Sequence, residues 1–413
     1  MDDFSKRFSS LTPEQLALLE LRLKKQGLRS PLEQTSAQTS AVVGVEPSSQ
    51  QTAENSEEEF DWKSRPVEKS LSFSLYFFSD DGSKDSVDKY RLVLESAKYA
   101  DQHDFSAVWT PERHFQDFGG LYPNPSVLSA ALSMITERVQ IRAGSVALPL
   151  HHPVRVAEEW SVVDNLSNGR AAISCASGWH PDDFVFAPAV YEDRKEVMFR
   201  HIELIQRLWM GETVMMPGVG GQEVPVRLLP KPLQRRLPVW ITSAGSPETW
   251  IRAGEIGANI LAALIGYSFE DLAARIRSYR EARARRGYDP QTGVVSIMLH
   301  TFVGQSNSAV KEQVRAPFTH YLHSYFKQYD NVRVAAEEVT EADRDAIMSA
   351  AFEHYFETNT LMGTPAKCSR VIEQLLAAGV DEAACLVDFG VEADAVLENL
   401  HHLNELREHY RNE

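Results

Sequence analysis

Eight strand-like runs recur between residues 72 and 390, nearly all separated by stretches of helical periodicity. They read SFSLYFF (72–78), AVWT (107–110), QIRAGSVALPL (140–150), RAAISCAS (170–177), PVWITSA (238–244), ANILAALI, VVSIMLHTFVG and AACLVDFG. Strands joined through helices pair in parallel, because the crossover returns the chain in the same direction. Eight such units predict an α/β fold of the TIM (β/α)8 type with insertions. An open doubly wound sheet is the competing arrangement. It lacks support, because no G-x-G-x-x-G follows the first strand. The nearest glycine cluster, Gly218, Gly220 and Gly221, has the wrong spacing and sits in a hairpin read around PGVGGQEV.

Three segments are expected: a helical piece over 1–29, a flexible linker over 30–68 and the barrel over 69–413. The first contains a helix over 11–27. Thr12 suits its N-cap, Pro13 its first position, Gln15 a capping box and Gly27 the far cap. Leu16, Leu19 and Leu23 form one apolar stripe. A helix so short is marginal alone and needs the barrel or a partner to pack on. Ser, Gln, Thr and Glu dominate the linker, which has few large apolar residues to order it.

Charge and composition exclude several classes. The 413 residues carry a formal net charge of −16 and show no basic face, which argues against nucleic acid. No apolar run approaches membrane-spanning length, and MDDFSKRFSS has no signal-peptide core, so a cytoplasmic protein is expected. Cys175, Cys368 and Cys385 are too far apart for a zinc pattern and are expected as free thiols. No metal is expected: His151–His152 is a superficial pair, with His152 before Pro153 read as capping or packing, and His401–His402 is read as solvent-facing.

In a TIM barrel the chemistry sits at the C-terminal strand ends. After the second strand come Glu112, Arg113 and His114, three ionisable groups opening a long polar-aromatic loop. Surface salt bridging is the plainer reading of that triplet. After the fifth strand, Ser243, Ala244, Gly245 and Ser246 let a ligand approach the backbone just before Pro247 opens a helix. That is either an anion site at a helix N-terminus or an ordinary capped turn. The small-residue strand AGSVALPLHHPVR either receives a flat ring or simply packs closely.

Taken together, WTPERHF, IRAGSVALPLHHPVRVAEEWSVVDNLSNGR, ISCASGWHPDDF, YEDRKEVMFRHIELIQRLW, SAGSPETW and LMGTPAKCSRVIEQLLAAGVDEAACLVDFG resemble the bacterial-luciferase-like flavin monooxygenases, in collinear order over roughly 70–390. The resemblance implies a homodimeric barrel that binds reduced FMN, or in one branch the deazaflavin F420. It implies that FMNH2 from a separate flavin reductase reacts with O2 through a C4a-(hydro)peroxyflavin to oxygenate a substrate. It places a non-prolyl cis peptide at Gly144–Ser145 and the flavin ring near Ala176, Ser177, Gly178 and Trp179. The phosphate would lie at Ser243–Ser246, with Tyr191 and Arg194 by the same cavity. Catalytic roles fall to His114, Arg113 and Glu112. Luciferases read Glu-His-His-Phe where this chain has Glu112-Arg113-His114-Phe115, so light emission from a long-chain aldehyde is not implied, and Arg113 could orient an anionic or acyl group. Ser177 stands where luciferases carry an arginine. The front segment LTPEQLALLELRLKKQG resembles helices that precede nonribosomal peptide and polyketide modules. It implies docking to a megasynthase module and an acyl or aminoacyl substrate on a carrier protein. An F420-dependent oxidoreductase and a non-catalytic assembly-line adaptor remain the alternatives.

Overall fold

The computed structural model describes residues 62–64, 67, 69–78, 88–116, 120–178, 180–265, 267–332 and 341–411. The helix expected over 11–27, and all but a few positions of the linker expected over 30–68, lie outside the described residues.

Eleven strands occur among these residues: β1 (Ser72–Tyr76), β2 (Ala107–Thr110), β3 (Gln140–Ala147), β4 (Ala171–Ala176), β5 (Val214–Pro217), β6 (Glu223–Val226), β7 (Val239–Ser243), β8 (Asn259–Ala263), β9 (Val295–Val303), β10 (Leu361–Gly363) and β11 (Glu382–Leu386). Eight pair in parallel in the order β9-β11-β1-β2-β3-β4-β7-β8, and β8 pairs back onto β9. The sheet therefore closes, and closure removes its free edges. β5 and β6 form the antiparallel hairpin expected around PGVGGQEV. The short β10 lies along the end of β9, at Thr301–Val303.

Ten helices complete the described chain: α1 (Arg91–Gln102), α2 (Pro125–Ser133), α3 (Pro153–Leu166), α4 (Arg194–Trp209), α5 (Pro247–Glu255), α6 (Phe269–Arg285), α7 (Asn307–Val332), α8 (Glu341–Thr358), α9 (Pro365–Ala378) and α10 (Ala393–Tyr410). Local chemistry explains their ends. Asn124 caps α2 by accepting from the Ser126 and Val127 amides, with Pro125 at the first position. Thr364 caps α9, and Gly379 closes it in the left-handed region. α5 and α6 approach so closely that a Cβ at Gly254 would stand 2.4 Å from the Tyr279 carbonyl oxygen. Only glycine permits that contact.

Three local expectations shift. The strand over 140–150 ends at Ala147, and Leu148–Leu150 turn as a 3-10 segment in which Pro149 has no N–H to offer a ladder. The helix in YEDRKEVMFRHIELIQRLW starts at Arg194, not at its first residue. His402 is buried against the helix packing while His401 is exposed, so the pair is not jointly solvent-facing.

The barrel interior is filled at its lower half. Arg142 of β3 donates from Nη1 to both carboxylate oxygens of Glu382 on β11, at 2.9 and 2.8 Å, and its guanidinium lies 4.7 Å from the Trp109 ring and 4.4 Å from the Trp240 ring. Glu382 also accepts from the Ser74 hydroxyl and the Trp109 indole. Trp240 in turn donates to Ser296. Side chains two apart on a strand share a face. Above this plug on the same inner face, β3, β4 and β7 contribute only small residues, Gly144, Ser174, Ala176 and Thr242. A packed floor beneath a lining of small residues puts any open space at the C-terminal mouth.

Candidate active site

The β2 end delivers Glu112, Arg113 and His114 inward, not to the surface. All three are buried or nearly so, which removes the plainer reading of surface salt bridging. Glu112 is a hub. One carboxylate oxygen accepts from His114 Nε2 at 2.9 Å and from His151 Nε2 at 2.6 Å, and the other accepts from the Ala147 amide at 2.8 Å. Burial alone pushes such a carboxyl up, but the two imidazoles and the amide outweigh it and hold Glu112 down at about 2. Burial pushes His151 down as well, yet Glu112 outweighs it and raises the imidazole above its ordinary value. Both rings face one carboxylate as donors. That is an acid–base arrangement, and among the described residues no group of His, Cys, Asp or Glu is disposed to hold a metal.

His151 was missed in the sequence because it is 39 positions from Glu112. The available signal was its place directly after the turn that ends β3, where barrels put their chemistry. His152 stands at the α3 cap position but makes no side-chain cap bond. Arg113 stacks on Phe78 at 4.7 Å and anchors its amide on the Tyr122 carbonyl, beside Asp388, which accepts from the Phe78 amide and the Tyr122 hydroxyl. Burial raises the Asp183 carboxyl against the pull of His114, His180 and Arg113, so this acid faces the same corner.

Around this hub the other expected site residues fall into two groups. Gly144–Ser145 is a cis peptide. Tyr76 donates its hydroxyl to the Gly144 carbonyl, and Ser145, Thr242 and Ser174 form a run of linked hydroxyls across β3, β7 and β4. A Cβ at Gly144 would stand 2.8 Å from Tyr76 and 3.1 Å from Trp109. Gly144→Val should therefore cost about 1–3 kcal/mol through overpacking. A lower denaturation midpoint at unchanged slope checks this, and an unchanged midpoint would show that the two rings yield. The second group is Gly178, Phe184, Tyr191 and Arg194. Phe184 lies against Gly178 and edge-on to Tyr191 at 4.9 Å, and Arg194 covers the Tyr191 ring at 4.5 Å. Ala176 ends β4, with Ser177 bonded to the Gly178 carbonyl, and Trp179 lies outside the described residues.

At the β7 end lies the Ser243–Ser246 turn, read in the sequence as either an anion site or an ordinary capped turn. The Ser243 hydroxyl is buried without a partner, and Ser246 sits at the α5 cap position without making a cap bond. Among the described residues the Gly245 and Ser246 amides donate to no backbone acceptor. A buried hydroxyl and free amides at a helix N-terminus suit a phosphate. With the Gly144 cradle beside them, these residues fit a flavin and its phosphate tail.

The family described as luciferase-like monooxygenase matches residues 69–382. The chain belongs to that family. It is a flavin-dependent monooxygenase built on the eight-stranded barrel, and FMN is its cofactor. The oxygenase component of a flavin-dependent trigonelline monooxygenase from Acinetobacter baylyi is 24% identical over 328 residues, covering 78% of this chain and 90% of that one. The 4-hydroxyprotoasukamycin monooxygenase of Streptomyces nodosus subsp. asukaensis is 26% identical over 239 residues, 56% of this chain and 64% of its own. Among solved structures, the oxygenating constituent of 3,6-diketocamphane monooxygenase from Pseudomonas putida, in complex with FMN, superposes with a TM-score of 0.66 at 15% identity over 81% of this chain and 97% of that one. That likeness speaks to the fold. Oxygenases of this family typically take reduced flavin from a separate reductase. No described helix is long and apolar enough to cross a membrane, and the three cysteines are free and buried.

Proposed function

We propose that this monooxygenase oxygenates an acyl or aminoacyl substrate presented on a carrier protein during natural-product assembly. The observation that carries the reading is the Glu112 hub, a buried carboxylate with two imidazoles, bonded to the Ala147 amide at the end of the strand that carries the Gly144 cradle. Reduced FMN, when bound, supplies the two electrons that let one atom of O2 enter the substrate and the other leave as water. Every other task falls to the chain. Glu112 stays ionised at neutral pH, so it orients rather than carries protons. With Nε2 of His114 donated to Glu112, its Nδ1 is the ring atom left to exchange a proton. Ser243, Gly245 and Ser246 hold the phosphate, and Ser145 with Thr242 supports the ring. Phe115 and Phe186 are 63% and 54% exposed and touch each other at 5.4 Å with His114 against them. They form an apolar lip that excludes water and accepts an apolar chain.

The N-terminal leucine stripe supports docking to an assembly-line module, and the relative named for 4-hydroxyprotoasukamycin supports the setting. Val127, Met134, Val162 and Leu166 are exposed apolar residues on or beside α2 and α3, and they support pairing of two copies through that face. The test is mass spectrometry of carrier-bound acyl and aminoacyl thioesters incubated with the full chain, a flavin reductase, FMN and 18O2. One 18O atom in the product is expected. Label only in water, or turnover that needs F420 and transfers hydride without O2, overturns the proposal.

A further inference from the structure

α5 and α6 pack in the tightest helix contact of this region, at Gly254 and Tyr279. Arg275 lies one turn before Tyr279 on the same face of α6, and helical side chains lean toward the N-terminal end. Its guanidinium therefore reaches up the α5–α6 seam toward the mouth. There it covers the Tyr267 ring at 4.8 Å, and the Tyr267 hydroxyl lies 3.9 Å from where a Gly245 Cβ would stand. Arg275 is thus one ring away from the Ser243–Ser246 turn.

Two features make this arginine unusual. Its Nε and Nη1 are fully buried and hydrogen-bonded to nothing, and no carboxylate pairs with it among the described residues. The nearest acids along the chain are Asp271, Glu270 and Glu281, and Asp271 is taken by Ser268 at the α6 cap. A guanidinium with two buried, unbonded nitrogens is costly unless an acceptor or anion joins it. The Ser243 hydroxyl, equally buried and equally unpartnered, points to the same missing group.

We propose that Arg275, steered by Tyr267, supplies the counter-charge for the phosphate of the bound flavin. This rests on the reading of the Ser243–Ser246 turn as the phosphate site. It adds a residue from α6 that no motif marks, and it makes the seam the determinant that separates FMN from riboflavin.

Binding of FMN and of riboflavin, followed by flavin fluorescence quenching, tests it in the full chain, in Arg275→Gln and in Arg275→Lys. The wild type is expected to prefer FMN strongly. Arg275→Gln should weaken FMN about 10- to 100-fold, the size of one lost charge-assisted bond, and leave riboflavin unchanged. Arg275→Lys keeps the charge and should keep most of the preference. Sulfate should raise the melting temperature of the flavin-free wild type and not of Arg275→Gln. Should Arg275→Gln fail to fold, the wild-type sulfate response and the Arg275→Lys selectivity still decide. An equal loss of both flavins in Arg275→Gln, or an undiminished preference for FMN, overturns the role of Arg275 while the flavin site stands. A wild type that binds neither flavin, or does not distinguish them, overturns the phosphate turn itself.

Discussion

Glu112→Gln should lower turnover about a hundredfold while flavin affinity stays within a few-fold of wild type, the loss expected when a proton-handling group is disoriented. The chemistry of the hub explains why so small a change is so damaging. Three donors converge on two carboxylate oxygens, from His114, His151 and the Ala147 amide. A glutamine has one oxygen to offer and brings an NH2 group in place of the other. If the NH2 faces Ala147, two donors confront each other in a buried site. If it faces the histidines, both must turn over their tautomers to accept. In the first case His114 keeps its bond but loses the negative charge that anchors it; in the second its Nδ1 must carry the ring proton. His114→Ala should depress turnover similarly, and combining the two should cost little more than either alone, because groups acting as a unit are not additive. Wild-type turnover in Glu112→Gln, or fully additive losses in the pair, would remove the hub from the mechanism.

The same variant should flatten two limbs of the stability profile. Glu112 is held below its ordinary value, so its contribution is complete above about pH 4.5 and is lost as pH falls toward about 2. His151 is held above its ordinary value, so its contribution is complete below pH 6.5 and is lost as pH rises through its raised pKa. Glu112→Gln removes the cause of both shifts. Denaturation midpoints across pH 2–9 check the difference.

Much of the barrel was legible because it is periodic. Buried parallel strands read as short apolar runs, and caps such as Asn124–Pro125 depend only on neighbouring residues. The Glu112–Arg113–His114 triplet was legible as a strand-end cluster. Its burial was not, because charged residues in a row more often lie on a surface. His151 and Arg275 were silent for other reasons. His151 meets Glu112 only once β3 has paired beside β2, and Arg275 meets the Tyr267 ring through a loop geometry that no periodic pattern marks. The Arg142–Glu382 pair, 240 positions apart, is the extreme case. In sequence Arg142 interrupts an apolar strand and looks like a flaw. In the fold it faces inward, between two indoles.

That pair sets the last expectation. Arg142→Leu should cost about 3–5 kcal/mol of stability, because it strands the Glu382 carboxylate in a dry interior. Ser74 and the Trp109 indole would remain as its donors, and neither carries charge. Arg142→Leu combined with Glu382→Leu should recover much of the deficit, because an apolar pair of adequate size often replaces a buried ion pair at little cost. Denaturant midpoints of the two single variants and the double variant measure these terms. The consequence for function follows from position. The Trp109–Arg142–Trp240 stack is the floor on which the Gly144 cradle rests. If the double variant regains stability but not flavin affinity, the ion pair shapes the pocket as well as the fold. If it regains both, any filled floor serves, and the charges are there for reasons unrelated to the cofactor. A double variant no more stable than Arg142→Leu alone would show that lost packing, not the stranded charge, sets the cost.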